Sequence, residues 1–302
     1  MNKIAIIGCG NVGMAYAYSI ILNNVNVDEI VLIDIDKNKA EGEAMDLSHC
    51  AVFRQNKCKI VAGDYLDCID AQIVMISAGR NQRLGETRTD LIHSNIVIFK
   101  DIISKLKDVD FNGIYLIATN PLDVMTYFTL KISNTKPNKV IGSGTTLDTA
   151  RLKNILSTIT SINTDNIHAY VIGEHGDSEM IPWQSASIGL NSIDNYINQA
   201  KKDEILHDVR RSAYEIIKRK GNTSYGIGVC LTKITEAILN DDNTIMTVSS
   251  YDSSRDMYYG YPTIINKNGA QKQISLNLTP EELEELEKSI NKIKDDMNSV
   301  AL

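Results

Sequence analysis

Several things are missing from this 302-residue sequence, and each absence excludes something. No stretch approaches about eighteen consecutive apolar residues, so no membrane-spanning helix is expected. Surplus positive charge is absent too: 31 basic against 38 acidic residues leave a net −7. Phosphate contacts need clustered Lys and Arg, which argues against nucleic acid and against an anionic membrane surface. Cysteine never pairs. Cys9, Cys50, Cys58, Cys68 and Cys230 form an odd set without a C-x-x-C, which suits reduced thiols better than a disulfide framework or a zinc site. There is no internal repeat and no low-complexity linker. The N-terminal "MNKIAIIGCGNVGMAYAYSIIL" has the lysine and apolar run of a signal peptide, but glycines interrupt it and no small-residue cleavage site follows. A cytoplasmic protein is expected.

What is present is ordinary globular composition, 43% hydrophobic and 23% charged, in a chain long enough for two domains. Short β-rich runs alternate with helical stretches over the first 140 or so residues. "KIAIIG", "EIVLIDI", "CKIVAG", "QIVMISAG", "GIYLIATN" and "KVIGSG" each read as a strand closed by a turn signal. Strands apolar on both faces, alternating with helices, predict a buried parallel sheet, doubly wound, with ligands at the C-terminal strand ends. Near residue 143 the grammar changes. "TTLDTARLKNILSTI" reads as a helix, "IHAYVIG" as a strand and residues 195–220 as a long helix, followed by strands at "NTIMTVSSY" and "YPTIINKNG". The expected division is residues 1–143 and residues 144–302. In the closing "TPEELEELEKSINKIKDDM", Thr279 and Glu282 form a capping box with Pro280 at the first helical position. Leu283, Leu286, Ile290 and Ile293 share one face, expected to pack on the body or on another subunit.

The segment Gly8, Cys9, Gly10, Asn11, Val12, Gly13 matches G-x-G-x-x-G between a strand and a helix. The first glycine permits a tight turn, the second lets backbone approach a pyrophosphate, and the third permits close helix packing. Asp34 ends the next strand, where an acid accepting from a ribose hydroxyl is expected and would repel a 2′-phosphate. NAD is therefore favoured over NADP, with Asp36 close enough to be the acting carboxylate instead.

At the other end of the chemistry, "VIGEHGDSE" sets His175 between two glycines, and "GTTLDTARLK" places Asp148 and Arg151 on one helix face. A carboxylate reaching an imidazole N–H orients the ring and favours its protonated form. An arginine beside it can grip a carboxylate through two parallel hydrogen bonds. Asn120 in "ATNPLD" either meets cofactor and substrate at a strand end or simply forms the turn before Pro121.

Taken in order, "GCGNVG", "LIDID", "AGRNQRLGETR", "ATNPLD", "GSGTTLDTARLK", "GEHGDSE" and "NTSYGIG" resemble the L-lactate and malate dehydrogenase family over nearly the whole chain. The resemblance implies an NAD-binding Rossmann domain followed by an α+β substrate domain, with NAD as cofactor and a site that interconverts a 2-hydroxy and a 2-keto acid. It implies His175 as the acid–base residue, Asp148 as its orienting partner and Arg151 as the group that binds the substrate carboxylate. It further implies Arg88 as the loop arginine polarising the C2 carbonyl, Asn120 in the site, and Thr223 at the pocket floor. Ala78 and Gly79 join the glycine fingerprint, Asp34 and Asn120 on the cofactor side.

Gln82 stands where malate-type members carry an arginine and lactate-type members a glutamine, so the lactate type is expected. "TSYG" and "YGYPTII" are similar to the broader hydroxyisocaproate-type branch, whose substrate loop is longer. Arg80 and Leu84 depart from the small residue and proline usual in lactate-type loops, and Arg80 and Arg83 have no assigned role. Bacterial members activated by fructose 1,6-bisphosphate use an arginine and a histidine; here Lys153 and His168 occupy those positions. A lysine keeps the charge without the bidentate fork. The resemblance implies a homo-oligomer, tetramer or dimer, with a small-molecule partner and no metal. A different class, a nucleotide-binding protein without catalysis, remains open because fold does not imply function.

Overall fold

The computed structural model describes residues 1–80 and 87–300. Six parallel strands run β1 (Lys3–Ile7), β2 (Glu29–Ile33), β3 (Lys59–Ala62), β4 (Ile73–Ile76), β5 (Ile114–Ile117) and β6 (Val140–Gly142). Between them lie α1 (Asn11–Leu22), α2 (Lys37–Ala51), α3 (Arg88–Asp108) and α4 (Leu122–Ser133). Every residue of β1, β2, β4 and β5 is buried, which explains their unbroken apolar sequence: helices cover both faces. The order is β3-β2-β1-β4-β5-β6, the doubly wound arrangement with its switch point between β1 and β4. Alternation along β1 sends Ala5 and Ile7 to the layer of α3 and α4, and Ile4 and Ile6 to the layer of α1 and α2.

The second half begins with α5 (Thr146–Thr160), then the short strands β7 (Ile167–His168), β8 (Ser187–Ile188) and β9 (Asn191–Ser192) in a small antiparallel sheet. Two helices follow, α6 (Gln199–Lys220) and α7 (Tyr225–Leu239). The strands β10 (Thr244–Asp252), β11 (Met257–Asn266) and β12 (Gly269–Gln273) do not form a sheet of their own. They continue the parallel sheet through an antiparallel pairing of Ser249 with Gly142, giving nine strands.

The last helix, α8 (Pro280–Asn298), starts on the expected reciprocal cap, with Thr279 and Glu282 each bonding the other's backbone N–H. Leu286, Ile290 and Ile293 bury against the α3–α4 layer, whereas Leu283, one turn earlier, is 47% exposed. The "IHAYVIG" run is a ladder only at Ile167–His168. It ends in isolated bridges at Ile172 and Gly173, where a φ of 94° at Gly173 turns the chain out of extended structure.

Candidate active site

At the C-terminal edge of β1 the first turn is built on two glycines for which no other residue fits. Gly8 has φ 105°, and a Cβ there would lie 2.6 Å from the Ala78 nitrogen. A Cβ on Gly13 would lie 2.1 Å from the Gly8 carbonyl oxygen, so α1 packs directly on the turn. Gly10 differs: a side chain there would meet nothing within 4 Å, because the residue faces the open groove at the start of α1. Asn11 and Val12 open that helix, whose free N–H groups point into the same groove.

Asp34 closes the groove's far side. Its Oδ2 accepts the Cys9 N–H at 2.7 Å and its Oδ1 accepts the Asp36 N–H at 3.0 Å. Each carboxylate oxygen keeps a lone pair for a diol. Asp36 instead caps α2 by accepting the Lys39 N–H, which leaves Asp34 as the carboxylate aimed at the glycine turn. An open cradle at Gly10 with an anchored acid across it fits a dinucleotide.

Ala78 and Gly79 follow β4, and Asn120 follows β5 ahead of a cis bond to Pro121. A residue not singled out from sequence ties these two strand ends together. The fully buried Asn95 of α3 accepts the Arg80 N–H at 3.0 Å and donates to the Asn120 carbonyl at 2.8 Å. Arg80 also donates to Ser94 Oγ. Gln82, Arg83 and Leu84 lie outside the described residues.

The histidine loop is held from three sides. Gly173 turns it, Ser289 of α8 accepts the Glu174 N–H at 2.8 Å, and Asp123 of α4 accepts the His175 N–H at 2.8 Å. The other oxygen of Asp123 accepts from Ser249 of β10. Burial pushes the Asp123 carboxyl up to about 6, against the pull of those two donors.

His175 then meets α5. Its Nδ1 lies 2.7 Å from Asp148 Oδ2, while Arg151 Nη1 donates to Asp148 Oδ1 at 2.6 Å. Asp148 sits in the first turn of α5, 2% exposed, with one oxygen on each cation. Burial works against charge on the imidazole, but the charge of Asp148 and its hydrogen bond outweigh burial and raise His175 to about 9. For Asp148, burial is likewise outweighed, by His175 and Arg151, and its carboxyl lies below the usual range. The result is an imidazolium at neutral pH, its Nδ1–H on Asp148 and its Nε2–H without a hydrogen-bond partner among the described residues.

Glu179, which sequence reasoning passed over, lies behind this pair. It is buried, and burial together with the nearby Asp148 charge raises its carboxyl well above the usual range. Asp148, His175 and Glu179 present ligand-type atoms within 4.8 Å of one another. Both oxygens of Asp148 and Nδ1 of His175 are already committed to hydrogen bonds, so the cluster is arranged for proton transfer rather than metal ligation. The fork of Arg210, from α6, holds the Glu179 main-chain carbonyl.

The structure does not bring Arg88 into that cluster. A reciprocal Thr87–Asp90 cap starts α3 at Arg88. From there its Nη2 donates to Glu174 Oε1 at 2.5 Å and its Nε lies 2.9 Å from Asp296 Oδ2. Thr223 precedes α7, and Cys230 of that helix feels the charges of Asp148 and Arg151. Lys153 is half-buried on α5, with its ammonium lowered by burial, and His168 is exposed on β7. Among the described residues no hydrogen bond joins these two.

A doubly wound sheet with a dinucleotide cradle at its switch point, together with a His–Arg pair joined on a buried Asp, belongs to the NAD-binding oxidoreductases. The family descriptions "lactate/malate dehydrogenase, NAD binding domain" and "lactate/malate dehydrogenase, alpha/beta C-terminal domain" match residues 2–142 and 145–301. The chain belongs to the lactate/malate dehydrogenase family, and its first half binds NAD. It is 44% identical to L-lactate dehydrogenase 2 of Bacillus anthracis over 310 residues, covering 99% of this chain and 98% of the relative. A crystal structure of MGS-M5, a lactate dehydrogenase from a Medee basin deep-sea metagenome library, superposes with a TM-score of 0.96 at 42% identity. That match covers 99% of this chain and 98% of the other. The ligand-bound minor L-lactate dehydrogenase of Enterococcus mundtii gives 0.97 at 36% identity, covering 100% and 99%. Among the described residues no helix is long and apolar enough to cross a membrane.

Proposed function

We propose that the chain is an NAD-dependent L-lactate dehydrogenase in which His175 and Asp148 carry the proton and Arg151 and Arg88 handle the substrate. The observation that carries this reading is the 2.7 Å His175–Asp148 contact, with Arg151 on the same carboxylate. NADH, when bound, supplies the hydride. The chain's own residues do the rest. Arg151 keeps its second guanidinium edge for the pyruvate carboxylate, which places the keto group beside His175. His175 donates from Nε2 to the keto oxygen and gives up that proton as the hydroxyl forms. The Nδ1–H stays on His175, donated to Asp148 throughout, so the neutral ring is left in the tautomer whose Nε2 can take a hydroxyl proton in the reverse direction. Arg88 stabilises the charge developing on the oxygen. Gly8, Gly10, Asn11, Val12, Gly13, Asp34, Ala78, Gly79 and Asn120 line the cofactor side, and Thr223 the substrate floor.

Gln82 supports pyruvate over oxaloacetate, because an amide leaves a second carboxylate without a counter-charge. The test is kcat/KM for pyruvate, oxaloacetate, 2-ketoisocaproate and phenylpyruvate, with NADH and then NADPH. Pyruvate with NADH is expected to lead. A preference for oxaloacetate or for the branched keto acid would replace the lactate reading with the malate or hydroxyisocaproate type. No NADH oxidation with any of them would leave a nucleotide-binding protein without catalysis. Arg88→Gln is expected to slow the hydride step on the order of 10²–10³ while NADH binding holds; an unchanged single-turnover rate would remove Arg88 from the mechanism.

The protein acts in the cytoplasm as a homo-oligomer, dimer or tetramer. Exposed apolar side chains support the association, Met45 on α2 with Val52 and Phe53 just beyond it, and Tyr225 and Val229 on α7. Light scattering on the purified chain gives the stoichiometry.

A further inference from the structure

The reading of Arg88 as the carbonyl-polarising arginine raises a question that its contacts answer. Its Nη2 is on Glu174 and its Nε lies against Asp296, two carboxylates whose side chains are only 3% and 9% exposed. A guanidinium balanced by two anions has little net field to offer a third oxygen. The Nε–Asp296 pair is close, yet neither atom completes an aligned hydrogen bond among the described residues, so it is the weaker of the two holds. Among the described residues, Glu174 would be left with Ser178 Oγ as its remaining side-chain donor if Arg88 departed. Asp296 would keep Lys292, which sits 3.0 Å from Oδ1 one turn back on α8.

We propose that Glu174 and Asp296 compete with the substrate carbonyl for the Arg88 guanidinium, so that this acidic pair sets how readily the arginine is recruited to the reaction. The proposal rests on the role assigned to Arg88 above. The Thr87–Asp90 cap starts α3 at Arg88, and recruitment of its guanidinium means breaking its contacts with both acids. If only the fraction of molecules with Arg88 released is competent, the apparent KM for pyruvate rises as that fraction falls. Asp296 and Lys292 then act with opposite sign. Removing the Asp296 charge loosens Arg88, whereas removing Lys292 leaves Asp296 wholly to Arg88 and tightens it.

The test measures steady-state pyruvate reduction at saturating NADH for Asp296→Asn and Lys292→Gln, each alone and with Arg88→Gln. Asp296→Asn is expected to lower the pyruvate KM about threefold, and Lys292→Gln to raise it about twofold, as suits partly exposed ion pairs. Neither moves KM once Arg88 is glutamine. Lys292 is 47% exposed, so its variant stays folded even if Asp296→Asn does not. Two KM values that shift in the same direction, or Lys292→Gln without effect while Arg88→Gln still collapses turnover, would overturn the competition. Turnover that survives Arg88→Gln would instead overturn the role on which it rests.

Discussion

Replacing Asp148 by asparagine tests the centre of the site with one atom changed. In the native protein the imidazole of His175 is raised from its ordinary 6.5 to about 9, although burial acts against it. That difference corresponds to about 3 kcal/mol favouring the imidazolium. Asparagine keeps the shape but not the charge. With burial opposed only by the more distant Glu179 and Asp123, the ring is expected to return to roughly 6.5 or below. At pH 7.5 the protonated fraction then falls from nearly all to about one tenth, a loss of about tenfold from charge alone. The amide also favours the wrong tautomer, which in a related His–Asp couple accounts for a loss of up to about 10⁴.

The assay is the pH profile of kcat/KM for pyruvate. Reduction needs the imidazolium, so the native profile is flat at low pH and falls as pH rises through about 9. Lactate oxidation needs the neutral ring and rises through the same midpoint. In Asp148→Asn both midpoints move down by about two units or more. Stability follows the same linkage: a raised histidine contributes fully below 6.5 and loses that contribution as pH rises through about 9. Thermal melts between those limits should therefore decline in the native protein and flatten in the variant. A variant midpoint within one unit of the native one would refute Asp148 as the source of the shift.

Two further outcomes follow from the cradle and the flank of α5. Gly8→Ala is expected to destabilise on the order of 2–4 kcal/mol, because its Cβ would strike the backbone at Ala78 in a left-handed conformation. Gly10→Ala should melt like the native protein yet bind NADH about tenfold more weakly, ~1.4 kcal/mol, since its Cβ meets only the open groove; calorimetry separates the two. Lys153 offers a phosphate charge without a fork, so fructose 1,6-bisphosphate is expected to alter the pyruvate KM less in the native chain than in Lys153→Arg. Equal responses, measured at low pyruvate, would exclude these residues from any such site.

The parts legible in the sequence are those whose chemistry is local. The glycine turn could be read because backbone geometry at Gly8 and packing at Gly13 depend on neighbours a few residues away or on a generic strand. The six parallel strands announced themselves as apolar runs because both their faces are covered. The opposite holds for β10 to β12, whose continuation of the sheet depends on one pairing, Ser249 with Gly142, that no local pattern encodes. The long-range polar contacts were hidden for the same reason. Asn95 reads as one polar residue in a helix until it is found bridging two strand ends, and nothing local to Glu179 marks it as buried beside Asp148 and His175. Arg88 could be assigned a task from family resemblance, but its partners Glu174 and Asp296 lie 86 residues or more away in sequence.

The charges brought together at the proposed site bear on which substrate it favours, independently of Gln82. Asp148 contributes one negative charge, Arg151 one positive, and the His175 imidazolium a second positive. Burial and the neighbouring Asp148 charge raise the Glu179 carboxyl, which weakens the negative charge it adds. Asp148, Arg151 and His175 together therefore carry one net positive charge, with Asp148 and Glu179 shielded from solvent. A monocarboxylate such as pyruvate cancels it. A dicarboxylate would leave one negative charge uncompensated, and Arg88 cannot supply the balance freely, because its own charge already answers Glu174 and Asp296. Discrimination against oxaloacetate is then a property of the whole electrostatic arrangement. On that argument Gln82→Arg alone should improve kcat/KM for oxaloacetate by adding the missing charge while pyruvate reduction stays measurable, because the His175–Asp148–Arg151 core is untouched. A substitution that abolished pyruvate turnover outright would show that Gln82 does more than withhold a charge.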